Sequence, residues 1–186
     1  MRTLVLVPTD PERRILEDLG GIGPVELCGF GPVAAAARTA ALIASTKPPA
    51  VLLVGIAGTY DSRAVGIGKA VEFGRVEIDG FEDAGFEPWP GVGHSVDLGP
   101  DAATALVTVL SPSSSRAEAA ERRLRHAGAV AEDMEGYGVA VACAIARVPL
   151  AIVRGISNEA GDRDHGRWRI REALASARSL ASARLS

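Results

Sequence analysis

The run Val51 to Val54, VLLV, is apolar at every position, so a strand built from it must be covered on both faces, as a central strand between helices is. Leu4 to Val7 is another continuous β-favouring run, and Leu150 to Ile156 supplies the last strand. Between the first two lie helical segments. Thr9-Asp10-Pro11-Glu12 has cap chemistry, with Asp10 able to accept backbone N–H groups and Pro11 suited to a first turn, which predicts a helix from about Pro11 to Leu19. Val25 to Cys28 reads as a short strand ending in Gly29-Phe30-Gly31-Pro32, and VAAAARTAALIAS after it as an alanine-rich helix.

From Val65 to Gly99 the pattern changes to short alternating pieces broken by Gly, Pro and Asp, which predicts antiparallel or strongly bent strands without helical crossovers. Leu106 to Leu110 is a further strand. Ser115-Arg116-Ala117-Glu118 is a capping box opening a charged helix that Gly128 ends. A largely apolar helix follows Gly136 and runs to Arg147; Ser157 to Arg167 reads as a polar loop and Trp168 to Arg184 as a terminal helix. Strands and helices alternating at both ends of the chain, around a β-rich middle, predict a three-layer α/β/α fold with a central mixed β-sheet.

With 186 residues, 47% of them hydrophobic and 23% charged, the chain reads as one domain spanning residues 1–186. Lys and Arg total 20 against 23 for Asp and Glu, a formal charge of −3, which offers no basic excess for a phosphate backbone and argues against a nucleic-acid partner. Aromatics are 4%, so the core falls to Ala, Val, Leu and Ile. No apolar stretch approaches the roughly 20 residues of a membrane span, and no export signal is visible. Cys28 and Cys143 lie far apart without a C-x-x-C pattern, which predicts reduced thiols and a cytoplasmic location.

Three clusters carry chemistry. Gly29-Phe30-Gly31 and Gly55-Ile56-Ala57-Gly58 fail as dinucleotide fingerprints, because neither gives G-x-G-x-x-G with an acidic residue about 20 positions on. Tight strand-to-helix turns and close ligand contact both account for them. Glu132-Asp133-Met134-Glu135-Gly136 packs three carboxylates where a strand meets the amino end of an apolar helix. They suit the positive helix end. A helix that apolar also puts its first turn in a cleft, where a carboxylate is costly unless it binds hydroxyls or a cation; a glutamate accepting two vicinal ribose hydroxyls meets that condition. Arg154-Gly155-Ile156-Ser157-Asn158 ends in ordinary Asx-turn chemistry, yet Asn158 also offers the donor and acceptor that reading a purine edge requires. His94, His126 and His165 share no ligand-like spacing, so no metal or other cofactor is expected.

Taken together, LVLVPTDPER, GFGPVAAAARTAALI, KPPAVLLVGIAGTY, AVGIGKAVEFGRVEIDGFEDAG, AEDMEGYGVAVACA and IVRGISNEAGDRDHGRWRIREAL resemble, in order and over most of the chain, the purine nucleoside phosphorylase/nucleosidase superfamily, and within it the futalosine hydrolases of menaquinone biosynthesis. The M-E-G segment and the S-N-x-x-G-x-R-D…W-R-I-x-x-A-L ending are the specific parts. The resemblance implies a nucleoside phosphorylase-like fold and hydrolysis of the N-glycosidic bond of futalosine, releasing hypoxanthine and dehypoxanthinyl futalosine. It implies that Glu135 binds the ribose hydroxyls with Met134 under the sugar, and that Glu12 orients and activates water, with Asp10 as the alternative carboxylate. Asn158 falls where adenine-specific relatives carry an Asp that protonates the purine, and an amide in its place favours a 6-oxo base. Ser157, Ile56, Ala57, Gly58 and Val109 complete the expected substrate contacts, with Leu110 beside Val109.

A phosphorylase needs a fixed cationic anion site, and Arg63 lies just beyond the second glycine cluster rather than in it. Phosphorolysis, a methylthioadenosine/S-adenosylhomocysteine-type nucleosidase and a catalytically silent nucleoside-binding protein are the competing readings. The stretch Gly99 to Leu106 is short for the family, and Ser111 to Ser115 aligns poorly with it. Futalosine carries an aryl carboxylate on its 5′ arm, for which Phe81, Phe86, Trp89, Arg163, Arg167 and Trp168 are candidates alongside packing or exposure. The resemblance also implies a homodimer or larger homo-oligomer, with a small-molecule nucleoside as ligand.

Overall fold

Both faces of the central strands are apolar because helices lie on each side of them. The computed structural model describes residues 2–81, 93–99 and 104–185. Along the chain run β1 (Leu4–Val7), α1 (Asp10–Asp18), β2 (Val25–Leu27), α2 (Pro32–Thr46), β3 (Val51–Thr59), β4 (Ala70–Phe73), β5 (Arg75–Ile78), β6 (Ser95–Asp97), β7 (Ala105–Thr108), α3 (Arg116–Arg125), β8 (Ala129–Asp133), α4 (Gly136–Ala146), β9 (Leu150–Glu159) and α5 (Ile170–Leu185). Side chains alternate across the sheet with period 2. Leu6, Val51, Leu53 and Ile152 pack toward α2 and α4, whereas Val5, Val7, Leu52, Val54, Ala151 and Val153 pack toward α1 and α5. The three-layer α/β/α expectation holds, and the sheet is mixed: β1, β3 and β9 are parallel, while β4 and β8 join them antiparallel.

β3 organises the molecule. Its first half lies between β1 and β9, with Leu4, Leu6 and Leu150 in register with Val51, Leu53 and Val51 respectively. β1 stops pairing after Leu53, and β8 takes that side of β3 at Gly58 and Thr59. Between those points the β3 edge is open, and side chains rather than a strand must satisfy its amides. The sheet continues from β8 through β7 and β5 to β6, so the β-rich middle of the sequence forms its far wing.

Three local expectations are corrected. Gly55-Ile56-Ala57-Gly58 is not a turn after a strand; β3 runs through it to Thr59, with a register shift against β9 between Ala57 and Gly58. Ser157 and Asn158 likewise belong to β9 rather than a polar loop, because β3 continues alongside them. Asp10 does not cap α1. Thr9 does, accepting from the Glu12 amide, while Asp10 pairs with Arg13 and Arg14. The capping role predicted for Ser115 is found, its side chain accepting from the Glu118 amide. Cys28 and Cys143 are buried and unbonded, and burial pushes both thiols up to about 12.

Candidate active site

A cavity of about 330 Å³ opens where β1 has ended and β3 is exposed at its edge. Glu12, in the first turn of α1, fills that gap. Its Oε1 accepts from the Ile56 amide at 3.1 Å, and Oε2 accepts from Thr9 Oγ1 at 2.5 Å. The carboxyl lines the cavity while only 6% exposed, and burial raises its pKa against the lowering effect of the Thr9 hydrogen bond and the Arg154 charge. A carboxylate held this way is a stronger base than one in water.

The three carboxylates around Met134 divide their tasks. Asp133 Oδ2 accepts from the Gly136 amide at 2.9 Å, and its Oδ1 accepts from Thr108 Oγ1 at 2.7 Å, so Asp133 caps α4. Glu132 accepts from both the amide and hydroxyl of Ser113, at 2.8 and 2.6 Å, with Arg122 at 3.6 Å. Glu135 is thereby left to the cavity. Its Oε1 accepts from the Gly31 amide at 3.1 Å and its Oε2 from Arg154 Nη2 at 3.4 Å. Gly31 holds φ +82°, a conformation that favours glycine, so the first glycine cluster aims an amide at the carboxylate. Burial pushes Glu135 up to about 7 despite the opposing Arg154 charge.

Beneath these groups Arg154 is wholly buried and donates to Asp133 through Nε and Nη2. Its space comes from Gly55: a Cβ there would lie 2.1 Å from Arg154 Nη1 and 3.0 Å from Glu12 Oε1. That close approach, rather than a turn, is what the glycine in β3 serves. The sequence reading assigned Arg154 no role, although an arginine within an otherwise apolar strand must find buried anions.

On the opposite wall, β9 presents Asn158. Its Oδ1 accepts from Ser157 Oγ at 2.7 Å, and its Nδ2 donates to the Glu159 carbonyl at 2.9 Å. One amide N–H and further acceptor capacity on Oδ1 are left for a ligand. Gly58 on β3 is in register with both Glu132 and Asn158, which puts the two side chains on one wall. Ile56, Ala57, Gly58, Val109, Met134 and Ser157 all line the same cavity, Met134 packing against the Val107–Val109–Ala129 cluster.

Of the remaining expectations, Asp10 lies outside the lining and is held by two arginines, which lower its pKa, so Glu12 is the carboxylate at the site. Leu110 is 69% exposed and Phe81 59%, and neither lines the cavity. Arg63 is 95% exposed, paired with Asp61, and lines a different groove. Arg167 is committed to Asp162 and Asp164, whereas Arg163 and Trp168 do line the cavity. Phe86 and Trp89 fall outside the described residues, as do residues 100–103 of the short segment. Phe30, from the first glycine cluster, also lines the cavity, as do Thr9, Ser113 and His165, to which the sequence reading gave no substrate contact. Among the described residues no group of three or more His, Cys, Asp or Glu side chains is arranged to hold a metal ion.

The family model of the phosphorylase superfamily matches residues 93–185. The futalosine hydrolase of Streptomyces coelicolor is 37% identical over 169 aligned positions, covering 79% of this chain and 72% of that protein. The futalosine hydrolase of Thermus thermophilus is 32% identical over 201 positions, covering 92% of this chain and 89% of that one. Because 201 exceeds the 186 residues here, that relative carries insertions within the matched region. Among solved structures, a 5′-methylthioadenosine/S-adenosylhomocysteine nucleosidase of Colwellia psychrerythraea in complex with adenine superposes with a TM-score of 0.83 at 22% identity, over 100% of this chain and 96% of that one. That likeness is one of fold.

Proposed function

The chain belongs to the futalosine hydrolases of the phosphorylase superfamily, and from that premise we propose that it hydrolyses the N-glycosidic bond of futalosine, releasing hypoxanthine and dehypoxanthinyl futalosine, in menaquinone biosynthesis. The observation that carries the residue assignment is the meeting of Glu12, Glu135 and Asn158 in one cavity, the two glutamates sharing the field of Arg154.

In this reading the base lies against Asn158, with Ser157 fixing the amide and Ala57, Gly58 and Val109 forming the walls. Glu135 accepts hydrogen bonds from the vicinal ribose hydroxyls, and Met134 lies under the sugar. Glu12 takes a proton from water as its oxygen bonds to C1′. The C1′–N9 electron pair departs with the purine, the remaining Asn158 N–H stabilises charge developing on N7 or the 6-oxo group, and the purine anion takes a proton from solvent as Glu12 returns its own to solvent. The transition state is oxocarbenium-like, so the protein's work is to hold water, sugar and base in line. An amide supplies a hydrogen bond without a full proton, which favours hypoxanthine over adenine.

Water is supported as the acceptor over phosphate, because Arg154, the cation beside the buried carboxylates, is engaged by them, Arg63 lies away from the cavity and Arg163 sits at its exposed rim. The reading takes residues 1–186 as one domain, supported by a sheet that joins β1 to β9. It takes the protein as a cytoplasmic homo-oligomer, supported by two reduced thiols and by exposed Val33 and Ile145 on α2 and α4. Among the described residues no helix is long and apolar enough to cross a membrane.

The test is incubation of purified protein with futalosine and, separately, with methylthioadenosine, with free bases assayed in the presence and absence of phosphate. Phosphate-independent hypoxanthine release from futalosine is expected. Adenine release without hypoxanthine overturns the 6-oxo assignment, and a phosphate requirement overturns hydrolysis.

A further inference from the structure

The cavity has two chemically different halves. Glu12, Glu135, Ser157 and Asn158 are buried, whereas Phe30 is 66% exposed, Arg163 and His165 are exposed, and Ile15, Trp168 and Ile170 are half-buried. The exposed residues form an aromatic and aliphatic rim. His165 and Trp168 pack ring against ring, centroids 4.3 Å apart and inclined at 50°, and Trp168 is anchored by donating Nε1 to the Asp162 carbonyl at 3.0 Å. A short helical turn, His165–Arg167, carries both the His165 ring and Arg167.

Charge at this rim is unevenly distributed. Asp162 and Asp164 flank Arg163 in sequence, yet both pair with Arg167, at 2.9 and 3.3 Å. Their oxygens also accept from turn amides, Asp162 from Asp164 N at 3.0 Å and Asp164 from Gly166 N at 3.1 Å. Arg163 makes no ion pair among the described residues and lines the cavity. A guanidinium beside exposed rings provides both a planar apolar surface and a fork for a carboxylate.

We propose that Arg163, with the Phe30 ring and the His165–Trp168 pair, forms the subsite for an aromatic, carboxylate-bearing substituent on the 5′ carbon of the nucleoside. The inference rests on the nucleosidase reading. With the base at Asn158 and the hydroxyls at Glu135, both deep in the cavity, the 5′ arm leaves through the rim. Its ring lies on the apolar surface and its carboxylate meets Arg163. Among the described candidates for the arm, Arg167 is occupied, Phe81 lies elsewhere, and Trp168 contributes surface.

The test uses Arg163→Gln and Arg163→Lys in the full chain, with futalosine, its carboxylate methyl ester, inosine and inosine 5′-monophosphate. Equilibrium binding is measured in a Glu12→Gln background and steady-state kinetics in the active protein. Arg163→Gln is expected to weaken futalosine binding about tenfold and to raise KM correspondingly with kcat little changed, as for one lost charged hydrogen bond. The loss is confined to the free carboxylate, and Arg163→Lys recovers part of it. Equal losses on the methyl ester, or none on futalosine, overturn the proposal, and an equal loss on inosine 5′-monophosphate overturns its aromatic part. Failure of the active protein to release hypoxanthine from any of the four refutes the nucleosidase reading instead, and the binding arm still judges Arg163.

Discussion

Arg154 Nη2 lies 3.4 Å from Glu135 Oε2, and the guanidinium that carries it has no exposure to solvent. One cation thus serves Asp133, Glu135 and, through its field, Glu12. Removing it strands buried negative charge. Arg154→Met is expected to destabilise the fold by about 3–5 kcal/mol, the cost of breaking a buried pair, and to raise the Glu12 and Glu135 pKa values further. Urea denaturation of the variant checks the first; a stability within error of wild type contradicts this account of the site.

Glu12→Gln keeps the shape of the Thr9 and Ile56 contacts but cannot take a proton from water. The expected result is a loss of turnover of about 1000-fold, within the range of general base catalysis, with futalosine affinity retained. Calorimetric binding beside a hypoxanthine assay separates the two. Turnover within tenfold of wild type removes Glu12 from the proton-transfer step.

The Glu135 carboxyl, pushed up to about 7, gives the enzyme a pH dependence. Ionised Glu135 accepts hydroxyl bonds best, so kcat/KM rises with pH through about 7. Stability moves oppositely. A folded pKa above the ordinary 4.5 means that the folded state favours the proton, so stability falls as pH rises from about 4.5 to about 7 and levels off above. Glu135→Gln cannot ionise and loses that slope. Thermal melts at pH 5 and pH 8 check it: wild type loses roughly 7 °C relative to the variant between them.

Asn158 is held by Ser157 and Glu159 with one N–H left to the ligand. Asn158→Asp places a carboxyl at the same point, able to give a proton to adenine N7. The ratio of adenine release from methylthioadenosine to hypoxanthine release from futalosine is expected to rise at least about tenfold. An unchanged ratio would sink the amide-for-acid argument.

The apolar strands, α2 and the Ser115 cap were legible because their signals are local: aliphatic runs, alanine-rich spacing, a hydroxyl three residues before a glutamate. The extents of β3 and β9 were not. Glycine, Ser157 and Asn158 are turn formers by intrinsic preference, and the pairing of β3 with β9, with β8 on the other side of Gly58, keeps them extended. The division among Glu132, Asp133 and Glu135 was hidden for the same reason. Each carboxylate is assigned by a partner distant in sequence, Ser113, Arg154 and Gly31, and sequence separation carries no trace of it. Glu12 was distinguishable from Asp10 in retrospect, since an acid one residue after the cap meets the arginines at i+3 and i+4.

The pairing of β9 with β3 also constrains how the enzyme comes into being. Glu12 near one end of the chain and Asn158 near the other meet only after that non-local strand docking, the kind of contact that closes late and slowly in folding. A nascent or partly denatured chain holds no fractional version of the site. Refolding assays should therefore show catalytic competence returning in step with the final cooperative phase, behind any burst of helix formation.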